Sequence, residues 1–414
     1  DDPLSLVPTQ DTIGHGTFLA GLAAGSSIPQ EDFTGAAPEA ELAVVKLKPA
    51  KKYLRDFYLI PSDAPAFQEN DIMMGIKYLR MMADRLKKPL VILLAMGSNS
   101  GSHIGTSPLS QVTQNYSGFF GIITVIACGN ETGAAHHFYA SIPAGTEYED
   151  VEIRVGKEEA ERGFVLELWA ADADTYTVGF ISPSGERISR IPIIANNETS
   201  IPFLLDATTI TVNYQLIEAE SGSQLIFMRF QTPAAGIWTV RVYNTQRFKG
   251  TFHMWLPVQG MISEETVFLR PDPYSTITVP GNSRLPITVG AYDTSTGGIY
   301  IHSSRGFTPN QIVKPELAAP GVNILGPSVG RKPGSDTPMT TRTGTSAAAA
   351  ITAGAAANLL GWGIVEGNYP TMSEASVKSY LIRGAQRNPA LTYPNREFGY
   401  GTLDLFQTFL RLRE

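Results

Sequence analysis

Three short stretches of the chain hold side chains that could do chemistry together. The first, Asp11-Thr-Ile-Gly-His-Gly-Thr, sets His15 between two glycines at the head of a small-residue run. An imidazole there projects from a tightly packed backbone and can take up and return a proton near neutral pH. The second, Thr343-Gly-Thr-Ser-Ala-Ala-Ala-Ala, puts Ser346 at the start of an alanine-rich segment. A helix beginning there offers free N–H groups and a positive dipole end, which favour negative charge developing on a substrate oxygen. The third, Ala127-Cys-Gly-Asn-Glu, follows an apolar run and can aim the Asn130 amide at a ligand. Taken singly, each has an ordinary alternative: a histidine at a turn, a serine capping a helix, a Gly-Asn turn. Taken jointly, a proton acceptor, a hydroxyl and an amide donor are the parts that acyl transfer needs.

The elements that must position these groups are legible in the periodicity. Gly16 to Ala24 reads as a tightly packed helix, Glu41 to Leu47 as a short strand. Asp71 to Leu86 places Ile72, Ile76, Leu79, Ala83 and Leu86 on one helical face. Leu90 to Met96 and Gly121 to Cys128 are apolar throughout, as in parallel strands covered on both faces. Helices between such strands imply an α/β layer fold. Near Thr146 the pattern changes to alternating segments, among them Phe164 to Trp169, Tyr176 to Ile181, Thr209 to Leu216, Gln224 to Phe230 and Trp238 to Tyr243. Short strands with little helix signal imply a β-sandwich. Helix and strand return near Thr276, ending in a long helix from Ser346 to about Leu360. The organisation expected is an α/β catalytic domain in two parts, residues 1–145 and 273–414, interrupted by a β-sandwich at 146–272.

Composition narrows the function classes. Of the 414 residues 43% are hydrophobic and 17% charged, which is globular rather than disordered. A net charge of −7 argues against nucleic acid or an anionic membrane as the main partner. A single cysteine, Cys128, precludes an internal disulfide. No uninterrupted apolar run reaches the roughly 18–20 residues of a membrane span, and the first residues do not read as a signal peptide.

The three motifs, in this order, resemble those of the subtilase superfamily of serine peptidases. Lesser matches are Ala95-Met-Gly, Ser303-Ser-Arg-Gly followed by Lys314-Pro-Glu-Leu-Ala-Ala-Pro-Gly, and Phe398-Gly-Tyr-Gly-Thr-Leu-Asp. Gly97-Ser-Asn-Ser-Gly-Ser-His-Ile-Gly-Thr-Ser, the His136-His137 pair and an insertion between the Asn and Ser motifs are similar to the clostridial subtilases. That group includes the spore-germination proteases, in which the insertion is a jelly roll. The resemblance implies a subtilisin-like three-layer fold with a parallel sheet. It implies His15 as general base, Ser346 as nucleophile, and an oxyanion hole of the Asn130 side chain and the Ser346 N–H. Ala95, Met96, Gly97 and Gly129 are expected to line the first substrate pocket. Glu131, beside it, suggests a preference for Arg or Lys, although an exposed Glu at a turn is ordinarily only solvated surface. Substrates are expected to lie extended along the cleft.

The resemblance also implies an Asp ahead of the His in chain order, ending a buried strand within an Asp-Ser-Gly or Asp-Thr-Gly motif. Asp1 and Asp2 lack that motif, and Asp11 matches an acidic position bordering the cleft. The expectation is a smaller polypeptide, cut from the same precursor by self-cleavage, that carries this Asp and stays bound. The competing class is a pseudoprotease acting as a binding or regulatory scaffold. An esterase is disfavoured, because no Gly-x-Ser-x-Gly elbow surrounds Ser346. No metal ligands are assigned: His136-His137 lacks placed carboxylates, and calcium, common in the family, has no EF-hand-type ligand series here. Cys128 reads as a small buried apolar group, and His103 and His302 as surface or packing residues. The resemblance places such a protein outside the cell or on the spore.

Overall fold

The computed structural model describes residues 7, 9–171, 173–194, 197–330 and 339–412. Asp1 and Asp2 lie outside them. The first part of the chain runs through α1 (His15–Ala24), α2 (Lys52–Phe57), α3 (Glu69–Leu86), β1 (Leu90–Leu94), α4 (Pro108–Ser117) and β2 (Ile122–Ala127). A β-rich stretch follows: β3 (His137–Ser141), β4 (Tyr148–Val155), α5 (Lys157–Arg162), β5 (Phe164–Ala170), β6 (Thr175–Ile181), β7 (Arg187–Ile188), β8 (Glu198–Phe203), β9 (Thr208–Gln215), β10 (Leu225–Gln231), β11 (Gly236–Gln246), β12 (Thr251–Trp255) and β13 (Val267–Phe268). The chain then returns to β14 (Ile287–Tyr292), β15 (Leu317–Pro320), β16 (Ile324–Pro327), β17 (Met339–Arg342), α6 (Thr345–Leu360), α7 (Glu374–Gly384) and α8 (Leu405–Arg411).

Strands β1, β2, β14 and β15 pair in that order, all parallel. They are apolar on both sides because both sides are covered. On one face Ala348, Ala349, Ala353 and Ala356 of α6 pack against Ile123, Val125, Ile287 and Val289. On the other, Ile76 of α3 and Leu109 of α4 pack against Ile92, Leu94, Ile122 and Ile126. A third layer of contact joins α1 to α6 through Phe18, Leu19, Leu22, Ala347 and Ala350. The fold is therefore α/β with a parallel sheet between helical layers. Helix α6 with the turn after it, Thr345–Val365, is long and apolar enough to cross a membrane by composition, yet α6 is the buried helix of this core.

Between β2 and β14, two antiparallel sheets face each other, ordered β3-β12-β5-β10-β9-β8 and β13-β4-β11-β6-β7. Period-two alternation builds the space between them: Trp238, Val240 and Val242 of β11 are buried while Thr239 and Arg241 are only half-buried. Tyr176, Phe180, Phe230 and Phe252 join the same core. The first of these strands starts at His137, ahead of the change in texture at Thr146, because β3 is too short for its alternation to stand out.

One expected strand differs. Glu41–Leu47 is not in a sheet, and Leu42 and Val44 are 55% and 70% exposed. It rests on α3, where Val45 lies over Gly75. Among the described residues no strand pairs with it, or with the outer edge of β1. Without a ladder partner an apolar segment stays extended but unpaired.

Candidate active site

His15 opens α1, and the geometry before it is set by Gly14 and Asp11. Gly14 takes a left-handed φ of +78° at the helix cap. The Asp11 carboxylate then caps the helix: one oxygen accepts from the N–H of Ile13 and Gly14, the other from the N–H and hydroxyl of Thr17. Burial would raise the Asp11 pKa, but these donors outweigh it and hold the group down at about 2. The carboxylate is thus spent on the helix, and among the described residues no carboxylate is hydrogen-bonded to His15. His15 is half-buried, and burial together with the Arg342 cation lowers its pKa, against a smaller opposing pull from Asp11. Arg342 also donates to the Ile13 carbonyl at 3.3 Å.

Ser346 is the second residue of α6, so the free N–H groups of that helix surround it. Its hydroxyl donates to the Ala95 carbonyl at 3.4 Å. Asn130, just past β2, accepts through Oδ1 from the Thr345 N–H at 3.0 Å. That bond fixes the carboxamide and leaves its N–H groups for another acceptor. Gly344 makes the room: a Cβ there would lie 3.4 Å from Asn130 Nδ2. Hydroxyl, amide donor and helix N-terminus therefore meet at the carboxyl ends of β1 and β2. His15 heads α1, the helix whose Phe18, Leu19 and Leu22 pack on Ala347 and Ala350 of α6. An imidazole base, a hydroxyl and preset donors are the constellation of acyl transfer.

Of the expected pocket residues, Ala95, Met96 and Gly97 follow β1 and Gly129 follows β2, and the Ala95 carbonyl meets the Ser346 hydroxyl. Glu131 differs from its expectation. It is only 6% exposed, and its carboxylate accepts from Asn99 Nδ2 (3.3 Å), His136 Nδ1 (3.2 Å) and the Gln259 N–H (3.2 Å). Its carboxylate is thus a buried, hydrogen-bonded group rather than the solvated surface charge expected of a Glu at a turn. Cys128 is fully buried, its thiol pushed up to about 12 by desolvation. His103, His136 and His137 are buried as well, and His302 is half-buried. Among the described residues no group of three or more His, Cys, Asp or Glu side chains is gathered to hold a metal.

Two site residues escaped the sequence reading. Arg342 gives no signal beyond standing just before the serine motif. Thr278 lies far from every motif, yet its side chain fills the space between Gly97 and Gly129; only the fold brings those segments together.

Comparison with known proteins agrees with this geometry. The chain matches the profile of the Subtilase family over residues 5–184 and 270–401; the break between them falls inside the β-rich stretch. The solved structure of the Clostridium perfringens CspB protease superposes with a TM-score of 0.87 at 29% identity, covering 100% of this chain and 83% of that one. The S41 psychrophilic protease and sphericase cover 95% of this chain and 78% of their own, at 16% and 15% identity with TM-scores of 0.47 and 0.46. No curated protein matches. Motifs, three-layer core and family match converge: the chain belongs to the subtilase family of serine peptidases.

Proposed function

We propose that the protein is an endopeptidase that cuts proteins through an acyl-enzyme on Ser346. His15 takes the Ser346 proton as the hydroxyl attacks the scissile carbonyl, and returns it to the leaving amine. The Asn130 amide and the Ser346 N–H hold the oxyanion, and water then releases the acyl group. The observation that carries this reading is the bond from the Thr345 N–H to Asn130 Oδ1, which ties the amide donor to the residue beside the nucleophile.

The proposal extends to a second, smaller polypeptide from the same precursor, bearing the carboxylate that orients His15. Its support is the molecule's unpaired edge. The outer side of β1 and the extended Glu41–Leu47 segment both rest on α3, and apolar Leu42 and Val44 stand exposed. In the proposal, a strand of the smaller chain pairs along the outer side of β1 and brings its carboxylate to His15. Self-cleavage would release that piece; an exported or spore-associated site of action is part of the proposal and rests on the motif resemblance to the clostridial subtilases alone. Labelling with a fluorophosphonate, which needs an activated serine, tests the chemistry. Ser346 should label, and His15→Ala should abolish it. A precursor carrying Ser346→Ala should remain uncut; normal cutting in a pure preparation would overturn self-cleavage.

A scaffold without catalysis is favoured by one observation: among the described residues no carboxylate is hydrogen-bonded to His15, and the Asp11 carboxylate caps α1 instead. Failure of Ser346 to label in material that contains a smaller chain would decide for it.

A further inference from the structure

The space between Gly97 and Gly129, which the family resemblance assigns to the first substrate pocket, is occupied by a third residue. Gly97 and Gly129 stand on the two strand ends that flank Ser346, and their missing side chains open the space between them. That space is not empty. A Cβ on Gly97 would lie 2.2 Å from Thr278 Oγ1 and 2.7 Å from its Cβ. A Cβ on Gly129 would lie 2.7 Å from Thr278 Cγ2 and 2.8 Å from its Oγ1. One side chain thus presses on both glycine walls at once.

Thr278 is held there by the main chain on either side. Its N–H donates to the Cys128 carbonyl at 3.0 Å, while Ser98 and Val279 exchange paired N–H to carbonyl bonds at 2.9 Å. The segment is therefore a strap between the two walls, tied to both. The Thr278 hydroxyl donates to the Cys128 carbonyl at 3.3 Å, and the residue is 4% exposed. A β-branched side chain so fixed at χ1 cannot swing aside, and close-packed neighbours leave it nowhere to go.

We infer that Thr278 is a specificity-determining residue that limits the side chain on the acyl side of the cleaved bond to short groups such as Ala, Ser, Thr and Val. Long aromatic or basic side chains meet the Thr278 methyl and hydroxyl before they are seated. The inference deepens the peptidase reading and rests on it for its meaning in turnover, so its test reads binding without catalysis.

The experiment uses the purified protein carrying Ser346→Ala and hexapeptides identical except for Ala, Val, Phe or Lys at that position, with affinity followed by NMR titration. The Ala and Val peptides should bind about 10-fold or more tighter than those with Phe and Lys, the scale expected for misfit in an apolar pocket. Thr278→Gly should raise affinity for the Phe peptide by a similar factor. Thr278→Val, which keeps the shape and loses the hydroxyl, should leave the order unchanged. Equal binding of Phe and Ala in the parent protein, an unchanged order in a folded Thr278→Gly, or binding of no peptide would each overturn the inference. Should Thr278→Gly fail to fold, the parent profile and Thr278→Val still decide. Fluorophosphonate labelling of the unaltered protein reports separately on the activity of Ser346.

Discussion

Asn130 does two things with one carboxamide. Its oxygen accepts from the Thr345 N–H, beside the proposed nucleophile, and its N–H groups remain for the oxyanion of the proposed mechanism. Asn130→Ala should therefore lower kcat far more than it raises KM, by about 2.7–4 kcal/mol in the barrier, a magnitude known from subtilisin itself. Steady-state kinetics on a peptide substrate read the split; a rise in KM alone would contradict the role. The expectations for His15, Ser346 and Asn130 came from local motifs, and the structure puts each motif at the end of a helix or strand. Glu131 was read by its sequence neighbour and so placed at the pocket. In the fold, Asn99, His136 and Gln259 reach it first, and nothing local announces partners that distant. Thr278 was invisible for the same reason.

At the scale of elements, α6 works because it is smooth. Alanines let it lie against the sheet on one side and α1 on the other. Gly354 marks the tightest contact: a Cβ there would come 2.5 Å from the Ala36 Cβ and 2.6 Å from the Ala23 carbonyl oxygen. Gly354→Val should therefore destabilise the protein by about 1–3 kcal/mol through overpacking, seen as a lower Tm. Helices α1 and α6 and strands β1 and β2 appeared in the sequence within a few residues of their positions, since burial on defined faces writes a strong period. Glu41–Leu47 has strand-like composition and no strand, because pairing depends on a neighbour that its own residues do not encode.

Across the whole molecule, the β-rich stretch grips the loop that carries the pocket. Glu167 of β5 accepts from the Gly101 N–H at 2.9 Å and from Trp169 Nε1 at 2.8 Å. Trp255 of β12 stacks on His103 at 4.0 Å, with His137 and His253 against its ring at 4.9 and 5.1 Å. Desolvation lowers His253 to about 3 and His103 to about 4, the latter against the pull of the Asn99 and Ile277 carbonyls and Glu131, and drives His137 well below its ordinary value. Below about pH 6.5 the unfolded chain takes up protons that the folded one refuses, so stability falls as pH falls toward the folded values. Each histidine contributes up to about 1.4 kcal/mol per pH unit. Glu167, Glu220, Asp272 and Glu374, all raised by burial, slope the other way, so the histidine contribution is read as a difference between proteins. Between pH 7 and 5, His253→Phe, which keeps a ring in the stack, should lose less Tm than the parent protein does. Among the described residues nothing pairs with the rim at Leu90–Leu94, and that carries a different consequence. Five consecutive aliphatic residues with one open ladder form a template for any extended chain, other copies included. Purified alone, the protein should self-associate in a concentration-dependent way, visible by light scattering, and Ile92→Lys should be ruled out as a cure because that side chain faces the core. Only a strand laid along the rim would keep such a preparation dispersed.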